Sequence, residues 1–209
     1  MATYQFPDRF KLTRDQNRRF ARSNIARLVY VNSRFEGITT TLPQTKTIIE
    51  GMGVSGVSIA NMNKIIQLKR GWDYIINEDH PISLAVAKEI NRIIARDESL
   101  EPGELRTGNG SVATEQGEYT PPKIDPNQEA TFINTIIRDS TKSTTHQAME
   151  IMYHGMRQQA FWDGNKRTAT LLANKLMIDN GAGLINVPLD KWETWSNLIA
   201  NFYFSVMSV

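Results

Sequence analysis

The stretch Gln159–Arg167 reads Gln-Ala-Phe-Trp-Asp-Gly-Asn-Lys-Arg and lies between two apolar segments with helical spacing, 148–156 and 168–178. An Asp-Gly-Asn triplet at 163–165 interrupts the spacing. Its glycine can adopt a positive φ at no steric cost, and the two flanking residues have short side chains that accept hydrogen bonds from unpaired N–H groups at a helix start. The sequence therefore predicts a helix, a tight loop and a second helix.

The start of the second helix combines features that hold an anion. Its first N–H groups lie at the positive end of the helix dipole, and Lys166 and Arg167 are next to them. Phosphate is the anion that such a site suits best. Asp163 could also hold Mg²⁺ that bridges phosphates, because Mg²⁺ prefers oxygen ligands and takes few of them from the protein. An ordinary helix–loop–helix with a capped second helix is the alternative.

This loop resembles the signature of the Fic (Fido) family, His-x-Phe-x-Asp/Glu-Gly-Asn-Gly/Lys-Arg. The matching positions are Phe161, Asp163, Gly164, Asn165, Lys166 and Arg167, and the histidine position holds Gln159. The resemblance implies an all-α Fic fold with a small β-hairpin, ATP and Mg²⁺ as ligands, and transfer of AMP from ATP to a protein hydroxyl. Because it contains Lys166, the loop also resembles that of the toxin Doc, a protein kinase that transfers phosphate instead of AMP.

The resemblance further implies roles for the residues of this signature loop, 159–167. The expected roles are metal ligand for Asp163, anion loop for Gly164, Asn165 and Lys166, and phosphate clamp for Arg167. Gln159 stands in the catalytic position of the family's general base, but a glutamine amide cannot accept a proton at neutral pH. General base catalysis contributes about 10²–10⁴-fold, so transfer is predicted to be severely weakened. Two functions stay open: a weakened transferase, and a catalytically silent nucleotide-binding regulatory protein.

A second resemblance lies at 32–37, which reads Asn-Ser-Arg-Phe-Glu-Gly. It is similar to the inhibitory motif of Fic proteins, Ser/Thr-x-x-x-Glu-Gly/Asn, with Asn32 in the first place and Glu36 as the glutamate. The resemblance implies that Glu36 reaches into the nucleotide site and pairs with a second arginine three residues after the first. That position holds Thr170, so the hold of Glu36 is predicted to be weak. An exposed glutamate at a helix end is the alternative.

The segment 106–122 is rich in Gly, Ser, Thr and Asn and ends in Pro121-Pro122. Val112 and Tyr119 flank Gln116-Gly117, and this arrangement predicts a small hairpin. The resemblance implies that the hairpin is the flap, which clamps the segment of an unknown target protein. A mobile linker is the alternative.

Helical spacing and helix-start residues fill most of the remaining chain, which predicts an all-α fold. The predicted helices span 13–34, 42–50, 58–77 and 82–97, and further helices begin at Asp125, at Ser143 or Thr144, and at Asp190. The expected organisation is an N-terminal helical region, 1–57, that contains the motif at 32–37, and a Fic core, 58–209.

Composition narrows the class of protein. The chain has 209 residues, a net charge of +2 and no cysteine. A charge this close to balance favours neither nucleic acid nor an anionic membrane as a partner, and the lack of cysteine excludes disulfides and a thiol nucleophile. Residues 1–9 have no secretory signal, and no run approaches the roughly 18 apolar residues that span a bilayer. A cytoplasmic location is expected; the oligomeric state stays open, and a homo-oligomer is compatible with the sequence.

Overall fold

A computed structural model describes residues 6–114 and 116–205. The all-α fold with one small hairpin is confirmed over these ranges. The α-helices are α1 (Arg14–Ser23), α2 (Ile25–Asn32), α3 (Leu42–Ile49), α4 (Ile59–Asn77), α5 (Leu84–Ile94), α6 (Pro126–Arg138), α7 (Thr144–Gln158), α8 (Asn165–Asp179) and α9 (Trp192–Phe204). Strands β1 (Val112–Thr114) and β2 (Gly117–Tyr119) form the antiparallel hairpin.

Short polar side chains define most of the helix starts. Each of six N-cap residues accepts a hydrogen bond from a backbone N–H two or three residues further on, which pairs a donor that the helix itself leaves free. These residues are Thr13, Thr41, Ser58, Ser83, Asp125 and Ser143. The helix starts predicted at Asp125 and Ser143 are therefore confirmed.

The helix predicted over 13–34 is interrupted. Asn24 ends α1, and its side chain donates to the carbonyl of Phe20 at 2.9 Å, so a local side-chain bond competes with the helix here. After α2 the chain continues as a 3₁₀ turn, Ser33–Glu36. Gly37 ends that turn with φ 67°, a conformation that favours glycine. The tighter turn determines where the side chain of Glu36 lies.

Two other predicted helix starts are wrong. The helix predicted from residue 82 begins at Leu84 because Ser83 is its N-cap, so Pro81 precedes the helix. The last helix was predicted to begin at Asp190, but that residue lies in a 3₁₀ turn, Leu189–Lys191, and α9 begins at Trp192 without a side-chain cap.

Helix α8 is the centre of the molecule. It packs against α7, α5 and α4, and every residue from Arg167 to Ile178 is buried. Its polar side chains are satisfied internally: Asn174 exchanges two hydrogen bonds with the backbone of Ile185, and Lys175 pairs with Asp179. Since α8 begins at the signature loop, an almost fully buried helix positions that loop.

The buried residues of α1–α3 belong to the same core cluster as those of α4–α9. Trp72 of α4 shows the connection, because it is fully buried and donates its indole N–H to Asn32 at 3.0 Å. The division at residue 57 stays a prediction about organisation, since the two regions share one core. Across the described part of the chain, no helix combines the length and the apolar composition needed to cross a membrane.

Candidate active site

The backbone of the signature loop turns at two left-handed positions. Gln159 follows α7 with φ 49° and ψ 51°, and it is the one residue other than glycine with a positive φ in 6–114 and 116–205. Gly164 has φ 73° and occupies the N-cap position of α8. The conformation favours glycine, and a Cβ on Gly164 would also make a tight contact, 3.1 Å from the Cβ of Ala95. The predicted helix, tight loop and helix are present.

The two polar neighbours of Gly164 act differently from helix caps. Asn165 braces the loop: its amide donates to the carbonyl of Phe161 at 2.8 Å and accepts from the N–H of Phe161 at 2.9 Å. Asp163 accepts from the N–H of Gly164 at 2.5 Å, and its carbonyl accepts from Asn91 at 2.8 Å. No side chain caps α8. The prediction that these residues cap the helix is therefore wrong, and the first turn of α8 keeps its donors for another acceptor.

Arg167 is fully buried and its guanidinium is held by carboxylates. Nη1 and Nη2 donate to the two oxygens of Glu98 at 2.9 and 3.2 Å, and Nη1 also donates to the carbonyl of Ile94 at 3.1 Å. Nε lies 2.6 Å from Oε1 of Glu36. The Nε hydrogen does not point at that oxygen, so this contact is an ion pair rather than a hydrogen bond.

Lys64 completes the group. Its Nζ lies 2.6 Å from Glu98 and 3.1 Å from Glu36, so Arg167, Lys64, Glu36 and Glu98 form one charge cluster with two cations and two anions. Burial by itself would raise the pKa of the Glu98 carboxyl, but Arg167 and Lys64 outweigh it and lower the pKa. Burial would likewise lower the pKa of Lys64, and the two glutamates instead raise it. Lys64 and Glu98 are thus held in their charged forms.

The two residues of the 32–37 motif have separate positions. Glu36 contacts Arg167, the first arginine, although its expected partner position holds Thr170. The Thr170 hydroxyl donates to the carbonyl of Lys166 at 2.9 Å. Asn32 is buried away from the loop and bonds to Trp72 and Asn186. Glu36 therefore reaches the loop, while Asn32 supports the core.

Sequence reasoning missed Lys64 and Glu98. Lys64 lies on α4 and Glu98 follows α5, and neither belongs to a recognisable motif. Only the packing of α4 and α5 against α8 brings them to Arg167. No signal in the sequence marks them.

Lys166 has a different environment from Arg167. Its side chain is half-buried, and within the described ranges its ammonium group forms no ion pair. Burial lowers its pKa, and the charge of Glu36 partly opposes that effect. Lys166 borders a cavity of about 500 Å³ that lies between the 3₁₀ turn, β1 and α9.

Three aromatic rings form one wall of this aromatic cavity. Phe35 lies 5.2 Å from Trp192 and 5.5 Å from Trp195, and the two tryptophans are 5.3 Å apart, measured between ring centroids. Arg34 is a second cation in the lining, and Ala113 and Thr114 of β1 close another side. A flat aromatic molecule with negative charge would match this lining, because its rings would stack and its charge would face Lys166.

The flap is a hairpin rather than a linker. Val112 pairs with Tyr119, as predicted, and the ring of Tyr119 stacks on Tyr203 of α9 at 5.0 Å. The Tyr119 hydroxyl donates to the carbonyl of Arg157 at 3.2 Å. Leu105, just before the flap, forms a β-bridge with Phe161 of the signature loop. The hairpin is therefore attached to α7, to α9 and to the loop.

Two other residues near the loop have packing roles. His154, the nearest histidine in the sequence, stacks on Phe132 at 3.6 Å and lies 2.9 Å from Glu129. Trp162 donates to Glu101 at 3.2 Å and packs on Gly108, where a Cβ would lie 2.9 Å from the ring. Neither side chain takes the place of a general base.

Asp163 is the carboxylate available to a metal at the loop. Its side chain is 46% exposed, and in the described residues no group of three or more His, Asp or Glu side chains could enclose an ion. This donor set fits Mg²⁺, which is commonly held by one or two carboxylates together with phosphate oxygens.

The comparisons with known proteins agree with this geometry. Residues 81–177 match the Fic/DOC family. The chain is 29% identical over 184 residues to the protein adenylyltransferase fic-1 of Caenorhabditis briggsae, which covers 83% of this chain and 36% of the relative. It is 29% identical over 170 residues to the protein adenylyltransferase Fic of Aedes aegypti, covering 73% and 32%. The chain thus spans about a third of the length of the curated relatives that it matches.

Solved structures share the fold. A Fic domain containing signaling protein from Bacteroides thetaiotaomicron superposes with a TM-score of 0.74 at 22% identity, covering 90% of this chain and 75% of that chain. Fic-1 from C. elegans superposes with a TM-score of 0.69 at 22% identity, covering 91% and 62%. These likenesses establish the Fic fold.

Proposed function

We propose that this chain binds ATP, with its phosphates at the start of α8 and its base in the aromatic cavity. The observation that carries the proposal is the position of Lys166, a half-buried cation without an ion pair in the described ranges, between an uncapped helix start and an aromatic wall. A helix N-terminus supplies N–H donors and positive potential to a phosphate. A cavity of about 500 Å³ is also within the size range of small-molecule sites.

The proposed reaction is transfer of AMP to a protein hydroxyl. The hydroxyl oxygen would form a bond to the α-phosphorus, the bond to pyrophosphate would break, and the hydroxyl proton would need an acceptor. Residue 159 stands where the family's base is found, and the Gln159 amide cannot accept that proton. Wild-type transfer is therefore expected to be slow or absent. When bound at Asp163, Mg²⁺ would neutralise phosphate charge beside Lys166.

A silent, nucleotide-responsive protein is the second candidate. The charge cluster favours it, because both Nη atoms of Arg167 are occupied by Glu98 and its Nε faces Glu36. A phosphate that used Arg167 would have to displace a carboxylate. If the protein has this second function, nucleotide binding would separate Arg167 from its carboxylate partners, and the result would be a change in how the chain contacts other proteins. Residues 1–57 would then supply the inhibitory glutamate, and 58–209 would form the Fic core.

The flap is the proposed docking place for the protein target. Ala113 and Thr114 of β1 line the aromatic cavity, so a segment laid along this strand would come close to the phosphates. An exposed strand can accept an extended segment through backbone hydrogen bonds.

Titration calorimetry with ATP and Mg²⁺ tests the binding proposal. Lys166→Ala is expected to weaken binding about tenfold or more, which corresponds to one lost charged hydrogen bond of roughly 1.5–3 kcal/mol. Lys69→Ala is the matched control, because Lys69 pairs with Asp73 and is absent from the cavity lining. Equal affinities of wild type and Lys166→Ala would refute the assignment of this cavity.

The chemistry is tested with α-labelled and γ-labelled ATP. Gln159→His restores a group with an unperturbed pKa of about 6.5, so AMP labelling is expected to rise about 10²–10⁴-fold over wild type. Asp163→Ala in the Gln159→His background is the control. Label from the γ position alone would mean that ATP binds reversed, as in Doc. A variant that binds ATP without labelling any protein would favour the silent regulatory function.

A further inference from the structure

The backbone of Gln159 is strained and needs support from its surroundings. A left-handed conformation at a residue other than glycine costs about 1–3 kcal/mol and persists when neighbouring groups over-determine it. The carbonyl of Gln159 accepts a hydrogen bond from Nε of Arg106 at 2.7 Å. The N–H of Arg106 donates to the carbonyl of the next residue, Ala160, at 2.9 Å. Arg106 therefore holds the peptide between 159 and 160 and the peptide that follows it.

The same arginine also holds both ends of the flap segment. Its Nη1 donates to the carbonyl of Gly108 at 2.8 Å, and its Nη2 donates to the carbonyl of Pro122. The side chain is almost fully buried, with 5% of the residue exposed, and over the described residues it has no carboxylate partner. Burial accordingly lowers the pKa of Arg106.

A buried cation without a counter-ion is costly unless its donors are satisfied. Here backbone carbonyls satisfy them, and two of these, at Gln158 and Gln159, lie at the negative end of the α7 dipole. The planar fork of arginine fits several carbonyls at once, which lysine cannot reproduce. In the sequence, Arg106 is marked only as the first residue of the flap segment, 106–122.

We infer that Arg106 is a positioning residue that locks residue 159 to the flap, so that 106–122 and 156–161 move as one unit. Through this connection, a target segment docked on the flap is placed in a set register relative to residue 159. The mechanical coupling stands on the geometry alone. The consequence for transfer rests on the proposed function.

Hydrogen exchange of the full chain tests the coupling directly. In the wild type, the amide of Arg106, bonded to Ala160, and the hydrogen-bonded amides of Gln159 and Phe161 are expected to share one opening rate and one protection factor. Arg106→Lys keeps the positive charge but loses the planar guanidinium that donates to several carbonyls at once. It is expected to speed exchange in both 106–122 and 156–161 by about tenfold or more, the factor expected for lost charged hydrogen bonds.

Asn174→Ala is the matched control, since it also removes a buried side chain that bridges backbone groups, at Thr170 and Ile185. It is expected to speed exchange elsewhere and leave the two segments coupled. A second variant separates positioning from general destabilisation. Glycine adopts the left-handed conformation freely, so Arg106→Lys with Gln159→Gly should restore protection of 156–161 while 106–122 stays fast.

Unequal protection of the Arg106 amide and of the amides of Gln159 and Phe161 in the wild type would overturn the inference without any variant. Fast exchange throughout the Arg106→Lys protein, or no rescue by glycine, would also overturn it. ATP affinity is measured on the wild type and on Arg106→Lys in parallel. Absence of ATP binding in both proteins would refute the proposed function and leave the exchange result standing.

Discussion

Two buried arginines anchor the signature loop, and they are stabilised in different ways. Arg167 lies among ionisable partners, Glu36 and Glu98, with Lys64 joining them. Arg106 is held by backbone carbonyls alone among the described contacts. Carboxylates can be protonated or displaced by a phosphate, whereas carbonyls cannot be titrated. The contacts of Arg167 can therefore change with pH or with a ligand, whereas those of Arg106 do not depend on pH.

The largest expected effect follows from removing the centre of the charge cluster. Arg167→Ala leaves Lys64 as the one remaining ion-pair partner of Glu36 and Glu98 among the described residues, and breaking a buried ion pair in this way costs about 3–5 kcal/mol. Denaturant unfolding measures the loss. Arg96→Ala is the control, because Arg96 is exposed and should change stability by less than about 0.5 kcal/mol. A loss below about 1 kcal/mol would contradict the buried network.

Removal of one carboxylate from the charge cluster should lower stability by less than Arg167→Ala does. It should also raise the affinity for ATP. Glu98→Gln is expected to cost about 1.5–3 kcal/mol, the value of hydrogen bonds to a charged group. Glu36→Gln alone should raise ATP affinity only modestly, since Glu98 still holds both Nη atoms of Arg167.

The double variant Glu36→Gln/Glu98→Gln should raise ATP affinity by more than the product of the two single effects, because only then does Arg167 lose both glutamate partners. Calorimetry on the four proteins forms the cycle. A full gain from Glu36→Gln by itself would mean that Glu98 does not restrain the arginine.

The pH dependence of stability distinguishes the two arginines. The pKa of Glu98 is below its ordinary value of 4.5, so its contribution is present above about pH 4.5 and is lost as the pH falls through the folded-state pKa. Between pH 6 and pH 3, the melting temperature of Glu98→Gln should therefore fall less steeply than that of the wild type.

Arg106→Lys should keep the wild-type slope, since carbonyls bind no protons in this range. Glu78, whose pKa is lowered to about 2 mainly by hydrogen bonds from His80, contributes equally to all three proteins. Identical slopes for wild type and Glu98→Gln would show that Glu98 is not stabilised by its cations.

The smallest expected effect concerns the contact of the flap with α7. Tyr119→Phe removes the hydrogen bond to the carbonyl of Arg157 and keeps the stacking on Tyr203. One such bond contributes about 0.5–1.5 kcal/mol, so the melting temperature should fall by a few degrees. Tyr74→Phe, on α4 away from the flap, is the matched control for hydrogen exchange of 106–122. An equal response of the flap to both variants would show that the Arg157 contact does not hold it.

The sequence by itself determined the local elements of this protein. Helical spacing, N-cap residues such as Asp125 and Ser143, and the Gln116-Gly117 turn predict the helices and the hairpin, because these signals act over a few neighbouring residues. The loop at 159–167 also shows the resemblance to the Fic/DOC family, which residues 81–177 match, since the residues of the loop are contiguous. Helix ends were less predictable: the side-chain bond of Asn24 and the cap at Ser83 overruled simple spacing.

Only the tertiary structure decided the partners of the charged residues. Glu36, Lys64 and Glu98 meet Arg167 because α4 and α5 pack against α8, and Arg106 meets Gln159 because the flap folds back on α7. The position of Trp192 and Trp195 beside Lys166 likewise depends on how α9 packs. Charges carry no periodic signal, and their pairing depends on distances between segments far apart in the chain. The roles assigned to Asp163, Asn165 and Arg167 therefore stay predictions, whereas their geometry is set by the fold.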